Sequence, residues 1–334
     1  MCVNLTAMST PPHFVAPAFL DSDRPPVPDI VVPRGVTPFH LPGRPVRGRL
    51  VRLGPLADAL LSRHPYHPVV ARLTGEMMAL AAGLAAALKY RGSFSIQARG
   101  DGPVNMLLAD CTDDGALRAY ARIDQAKFDR LLAYDDDPLA AALLGVGHIA
   151  FSVDQGNDQD RYQGVVAIEG LTLAHMAQNY FRHSEQFDAD VTLACTKTPH
   201  GFRASALVLE RIAGTGGEKM ELNEEDADEA WRTARTLGAT LGQAELLDDE
   251  IAPETLLWRL FGTEGVAAGQ PRALAYGCRC SRARLNGILE NFTPGDLDHM
   301  AIEGTIVMTC EFCCYDFKFP RDAVTGTTAP QTEP

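Results

Sequence analysis

The chain has 334 residues, 46% hydrophobic and 22% charged, the balance of a globular protein with enough apolar surface for a sizeable core and a length that favours two or three units. Its formal net charge of −13 argues against a phosphate-neutralising surface and so against nucleic acid as the main partner. No basic stretch leads into an apolar one at the N-terminus, and the most apolar run, Met77 to Leu88, is too short to span a bilayer, so a cytoplasmic protein without a membrane partner is expected.

Residues 1–45 are dense in proline (Pro11, Pro12, Pro17, Pro25, Pro26, Pro28, Pro33, Pro38, Pro42 and Pro45) and show no apolar period. They read as a disordered or surface-draped arm, in which Met8 is a second candidate start. From Val46 to residue 215 the pattern is that of a folded body. A short helix is expected over Gly54–Leu61 and a long one over His67–Tyr90, where Val69, Leu73, Met77, Leu80, Leu84 and Leu88 recur at helical spacing before Gly92. Strands follow over Phe94–Ala98, where apolar and polar residues alternate, Val104–Ala109, Leu117–Ile123, where Leu117, Ala119, Ala121 and Ile123 share one face, His148–Asp154 and Tyr162–Ile168. A helix over Leu171–Phe181 and strands over Val191–Thr196 and Phe202–Ile212 complete the body. Strands in runs, without regular βα alternation, predict an α+β fold with a mixed, largely antiparallel sheet packed with helices.

Residues 216–271 read as an acidic helical linker. Between 216 and 265 thirteen acidic residues face four basic ones. Asn223 is placed to cap one helix and Pro253 to open another. Few large apolar residues mark either helix, which predicts marginal stability, or else merely a solvated linker with two surface helices. Residues 272–320 form the next unit and 321–334 a disordered tail.

Cys2, Cys111 and Cys195 are scattered, whereas Cys278, Cys280, Cys310, Cys313 and Cys314 crowd together. Cys278-x-Cys280 and Cys310-x-x-Cys313, two close pairs separated by a folded insert, suit a zinc ion, one per chain, in a closed shell of four thiolates. Buried cysteines or an iron–sulfur site are the other readings of the cluster. Zinc-held thiolates react with oxidants, and a small domain that loses its metal unfolds, so such a site can act as a switch. Cys314 stands where zinc knuckles often carry glycine and reads as a tolerated small residue. His64, His67, His148, His175, His183 and His299 are too scattered to predict a second metal site.

The Cys278–Arg282 run, the spacing to Cys310 and Cys313, and the aromatic strand Tyr315, Phe317, Phe319 resemble the redox-switch domain of the heat-shock protein 33 family. Gly100–Pro103, Arg161–Val166, Glu169-Gly170, Tyr180-Phe181, Ser184–Gln186 and Leu256–Leu260 are similar to that family's blocks in the same order, over residues 46–320. The resemblance implies a redox-regulated, ATP-independent holdase chaperone rather than an enzyme, with no catalytic residues. It implies a zinc-bound reduced form of little activity, and oxidation to Cys278–Cys280 and Cys310–Cys313 disulfides with zinc release. It also implies unfolded or oxidatively damaged client proteins as partners and a homodimer when active. The rival readings are a thiol–disulfide oxidoreductase, which lacks the βαβ setting of its motif here, and a zinc-ribbon protein-binding adaptor.

Overall fold

A computed structural model describes residues 28–87, 91–155, 162–212 and 223–326. Among these, the chain divides into a larger unit, Ile30 to Gly277, and a smaller one from Cys278 onward. The larger unit opens with β1 (Val31–His40), β2 (Val46–Arg52), α1 (Pro55–Leu61) and α2 (Pro68–Ala85). Then come β3 (Ser93–Gly100), β4 (Val104–Thr112), β5 (Ala116–Ile123), α3 (Gln125–Leu132), α4 (Ala140–Leu144), β6 (Gly147–Asp154) and β7 (Tyr162–Ala167). After α5 (Leu173–Tyr180), β8 (Ala189–Thr198) and β9 (Gly201–Arg211), the acidic stretch supplies α6 (Glu224–Gly238), α7 (Gln243–Leu246) and α8 (Pro253–Phe261). Finally β10 (Ala267–Ala268) and β11 (Arg272–Tyr276) return to the sheet.

One sheet runs in the order β7-β6-β3-β4-β5-β11-β1-β2-β9-β8, with β10 also paired to β1. Every pairing is antiparallel except β11 with β5, so the expected α+β class with a mixed, largely antiparallel sheet is what the chain forms. The apolar run of α2 is buried on every side, as an all-round hydrophobic helix must be, and packs on β2, β3, β4, β5, β8 and β9. Gly75 and Gly83 allow the approach: a Cβ at Gly75 would collide with Cys195 Sγ. No helix among the described residues is long and apolar enough to cross a membrane.

The arm expected over residues 1–45 is corrected from Val31 onward, because β1 lies inside the sheet between β11 and β2. Its prolines fit for local reasons. Pro33 falls in an irregularity where pairing to β11 skips from Val32 to Val36. Pro38 sits where the neighbour changes from β11 to β10, so neither position calls for an N–H donor on that side. Residues 1–27, and with them Cys2 and Met8, lie outside the described residues, as do 327–334 of the expected tail. Arg321–Val324 of that tail is ordered, with Val324 buried and Arg321 Nε 2.7 Å from Asp298 Oδ1. The boundary at 272 also moves, since β11 belongs to the sheet of the larger unit. Helix α2 stops at Ala85, and Lys89 and Tyr90 at its expected end are outside the described residues.

The linker helices start where their caps predicted: Asn223 Oδ1 accepts from Asp226 N at 2.8 Å, and Pro253 opens α8. Their apolar face is broader as a set than either helix suggests alone. Trp231, Leu246, Leu256, Leu257, Leu260 and Phe261 pack with Phe39, Leu41, Val46, Leu50, Leu207 and Leu209 on one face of β1, β2 and β9. At about 1.5–3 kcal/mol for each large buried side chain, this contact outweighs any of the surrounding ion pairs. The acidity is met by arginines from the sheet side: Arg203 with Asp249 at 2.5 Å, Arg211 with Asp228 at 2.5 Å, Arg44 with Glu264 at 3.3 Å, and Arg34 with Glu254.

Candidate metal centre

The smaller unit holds α9 (Arg282–Leu289), α10 (Pro294–Met300), β12 (Thr305–Thr309) and β13 (Asp316–Pro320). Cys278 and Cys280 lie in extended chain ahead of α9, whose N-terminus is capped by Ser281 Oγ accepting from Arg284 N at 3.2 Å. Thr293 caps α10 in the same way, from Asp296 N. These side-chain oxygens satisfy N–H groups that a helix start leaves without partners. Strands β12 and β13 form an antiparallel hairpin, and its tip carries the second pair of cysteines. There Tyr315 O accepts from Cys310 N at 3.0 Å, and Cys310 O accepts from Cys314 N at 2.8 Å, a tight turn that points Cys310 and Cys313 toward the first pair.

The four sulfurs of Cys278, Cys280, Cys310 and Cys313 all lie within 4.8 Å of one another. Cys278 Sγ is 3.3 Å from Cys280 Sγ and 3.7 Å from Cys310 Sγ, and Cys280 Sγ is 3.5 Å from Cys313 Sγ. Metal–sulfur bonds of about 2.3 Å in a tetrahedron put the sulfurs roughly 3.8 Å apart, so the donor set fits a tetrahedral ion. Cys278, Cys280 and Cys313 are buried and Cys310 is half-buried. Crowding splits their acidities. The hydrogen bond between Cys278 and Cys280 lowers the Cys278 value, and that between Cys278 and Cys310 lowers that of Cys310. Cys280 and Cys313, each bonded first to Cys278, are held above the ordinary thiol range.

The unit has a small apolar core of its own, chiefly Leu289, Leu297, Ile306, Phe317, Phe319 and Val324. Phe317 and Phe319 come from the aromatic strand anticipated in the sequence, while Tyr315 is exposed. The Arg282 guanidinium lies 5.1 Å from the Phe319 ring centroid and donates to Lys318 O at 2.8 Å, a contact that no sequence pattern announces.

The remaining candidates stay apart from this centre. Cys111 and Cys195 are buried in the larger unit, and burial pushes both thiols up to about 12, which makes them inert. Cys314 is exposed and has φ +54°, the left-handed geometry that favours glycine. No histidine joins a metal-like cluster among the described residues. His64 stacks on Tyr66 and His67 meets Phe128 edge-on, while His183 and His299 bond backbone oxygens one turn back in their helices.

The protein is thus a mixed α+β unit followed by a small unit built on four mutually close cysteines that could hold a metal ion, and a shell of four sulfurs is the structural rather than the hydrolytic kind. The family model for the Hsp33 protein matches residues 35–320, and the chain belongs to the Hsp33 family of chaperones. It is similar to the 33 kDa chaperonin of Caulobacter vibrioides strain NA1000 / CB15N, 38% identical over 288 residues that cover 85% of this chain and 93% of that one. The 33 kDa chaperonin of Pseudomonas aeruginosa strain UCBPP-PA14 is 34% identical over 282 residues, 84% and 89% of the two chains. The crystal structure of the 33 kDa chaperonin (heat shock protein 33 homolog) from Thermotoga maritima, at 19% identity, shares the fold with a TM-score of 0.69, covering 87% of this chain and 96% of that one. The family match beginning at residue 35 agrees with the place of β1 in the sheet.

Proposed function

We propose that this chaperone is a redox-regulated, ATP-independent holdase, inactive while one zinc ion is held by Cys278, Cys280, Cys310 and Cys313, and activated when those cysteines form disulfides. The approach of the four sulfurs to within 4.8 Å carries the reading. Zinc, when bound, keeps the sulfurs as thiolates and adds to the smaller unit folding free energy that its short core cannot supply. Cys278 and Cys280, with sulfurs 3.3 Å apart, pair on oxidation, and Cys310 pairs with Cys313. As each disulfide forms, its two thiols give up two electrons to one peroxide molecule, whose O–O bond breaks and whose two oxygens take up protons and leave as two waters. The cysteine-bearing segment then loses its fold, and the acidic segment ahead of it, 216–271, follows and uncovers the apolar face of β1, β2 and β9. That face holds unfolded or oxidatively damaged proteins; the active form is a homodimer and works in the cytoplasm.

The test measures zinc content together with suppression of client aggregation, for reduced and peroxide-treated protein. Zinc release that accompanies a gain in suppression is expected. Equal suppression in both states, or oxidation that leaves the metal in place, overturns the reading. Neither a thiol–disulfide oxidoreductase nor a zinc-ribbon adaptor gains support, because no observation in the larger unit supplies the setting either would need.

A further inference from the structure

Away from the cysteine centre, the larger unit contains a cavity of about 380 Å³ between α2, the segment leading into α4, the start of α5 and β8. That volume falls in the range of small-molecule sites. Leu73, Leu139, Leu143 and Leu193 give it apolar walls, and its charged members are Arg72 and Glu76, one helical turn apart on α2. The Arg72 guanidinium is turned to Asp137 Oδ1 at 2.5 Å and Pro138 O at 3.2 Å. Its charge is therefore answered by Asp137.

Glu76 is different. Its side chain is half-buried, and no hydrogen bond or ion pair joins it to any described residue. Burial raises its pKa to about 7, with Arg72 acting weakly the other way. An apolar cavity that holds one carboxylate without a partner carries one uncompensated negative charge, and such a group is costly unless it is protonated or meets a donor. Thr172 and Thr192 line the same cavity, the first with its Oγ1 already accepting from His175 N at 3.3 Å. An ammonium group has N–H donors and no acceptor, which matches a cavity whose unpartnered charged group is a carboxylate. A short alkyl stem matches the leucine walls.

We propose that this cavity binds a primary alkylammonium group, with Glu76 as its counter-ion. The group can come from a free small amine or from a lysine side chain of a bound polypeptide. This site is independent of the cysteine centre and of the redox reading above.

The experiment uses the full chain, reduced and zinc-loaded, at fixed ionic strength. Methyl NMR spectra are recorded while n-butylammonium, n-butanol, or a short capped peptide with one lysine is added. Saturable shifts at Leu73, Leu143 and Leu193 with n-butylammonium are expected, with much weaker binding of the uncharged alcohol. Glu76→Gln should weaken amine binding about tenfold or more, the loss of a charge-assisted hydrogen bond. Ala174→Leu, which narrows the cavity from α5, should weaken it as well and guards against misfolding of the first variant. Competition by the peptide assigns the site to lysine side chains, and its failure to compete assigns it to free amines. No saturable binding of n-butylammonium, equal binding of the alcohol, or unchanged affinity in both variants overturns the proposal.

Discussion

Arg52 on β2 donates from its guanidinium to the backbone carbonyl of Ile251, 199 positions further along the chain, and from its second nitrogen to Glu245 O at 3.2 Å. The arginine is buried, and desolvation lowers its pKa against the pull of Asp249, Asp248 and Glu245. It thus joins the sheet to α7 and to the turn before α8, and without it the half-buried carbonyl of Ile251 loses its charged donor while Glu245 O keeps Asp248 N at 3.4 Å.

Replacing Arg52 with methionine should therefore loosen the acidic segment selectively. The expected cost is about 1–3 kcal/mol, the penalty for a charged donor removed from part-buried acceptors. Hydrogen exchange should show protection falling over residues 243–261 while β3, β4 and β5 stay protected. Uniform loss across the sheet would mean that Arg52 supports the whole unit instead.

Cys310→Ser should abolish stoichiometric metal binding, because a tetrahedral site that loses one of its four thiolates loses affinity and shape together. Elemental analysis of the reduced protein checks this, and near-UV circular dichroism should report disorder around Tyr315 and Phe317. Full metal content in the variant would remove Cys310 from the ligand set.

Cys314→Gly should leave the metal content unchanged and stabilise the smaller unit by about 1 kcal/mol. A side chain held at φ +54° costs of this order, and glycine adopts that geometry freely. Thermal melts of the metal-loaded variant read the gain. Peptide mapping after oxidation tests a second role: if Cys314 competes with Cys313 for Cys310, a fraction of wild-type protein carries a Cys310–Cys314 bridge by thiol–disulfide exchange. Recovery of Cys314 always as a thiol limits it to a backbone role.

Glu76 makes stability depend on pH with a definite sign. The native carboxyl keeps its proton up to about pH 7, whereas the unfolded group releases it near 4.5. Between those values the native state binds more protons, so stability falls as pH rises through the window and is level above it. Glu76→Gln should flatten that fall and be more stable than wild type at pH 8 by about 2–3 kcal/mol. Urea unfolding at a series of pH values measures both slopes, and parallel slopes would show that Glu76 titrates normally.

Much of the architecture is legible in the amino-acid pattern. Apolar strand patterns bounded by turn residues located β3 through β9, with clean alternation in β3, where Phe94, Ile96 and Ala98 are buried between half-buried neighbours. Asn223 and Pro253 located α6 and α8 because the reasons for a helix start are local. Cys278, Cys280, Cys310 and Cys313 were legible as a set because metal geometry demands close pairs. Less legible were α3 and α4 between Ile123 and His148: Asp124 caps α3, accepting from Lys127 N at 3.0 Å, but only Phe128 of that helix is buried, so its apolar period is faint.

By itself the sequence determined α1, α2, α5, α6, α8 and the strands β3 through β9, together with the cysteine set and the family, since propensity, capping and ligand spacing act over a few residues. It misread residues 31–45, where proline count argued against a strand. Only the tertiary structure decided that β1 sits within the sheet, because whether Pro33 and Pro38 owe a hydrogen bond depends on the pairing of β10 and β11, more than 200 positions away. The same holds for the acidic helices. Their thin apolar faces and mutual repulsion are properties of the segment alone, whereas Phe39, Leu207, Arg203 and Arg211 supply the surface and charges that hold them. Glu76 is the sharpest case: one carboxylate in a helical run looks like a solvated charge, and it becomes a half-buried group lining a cavity only once β8, α4 and α5 close around it and Asp137 takes Arg72. Burial and pairing are sums over groups remote in the chain, and no local pattern contains them.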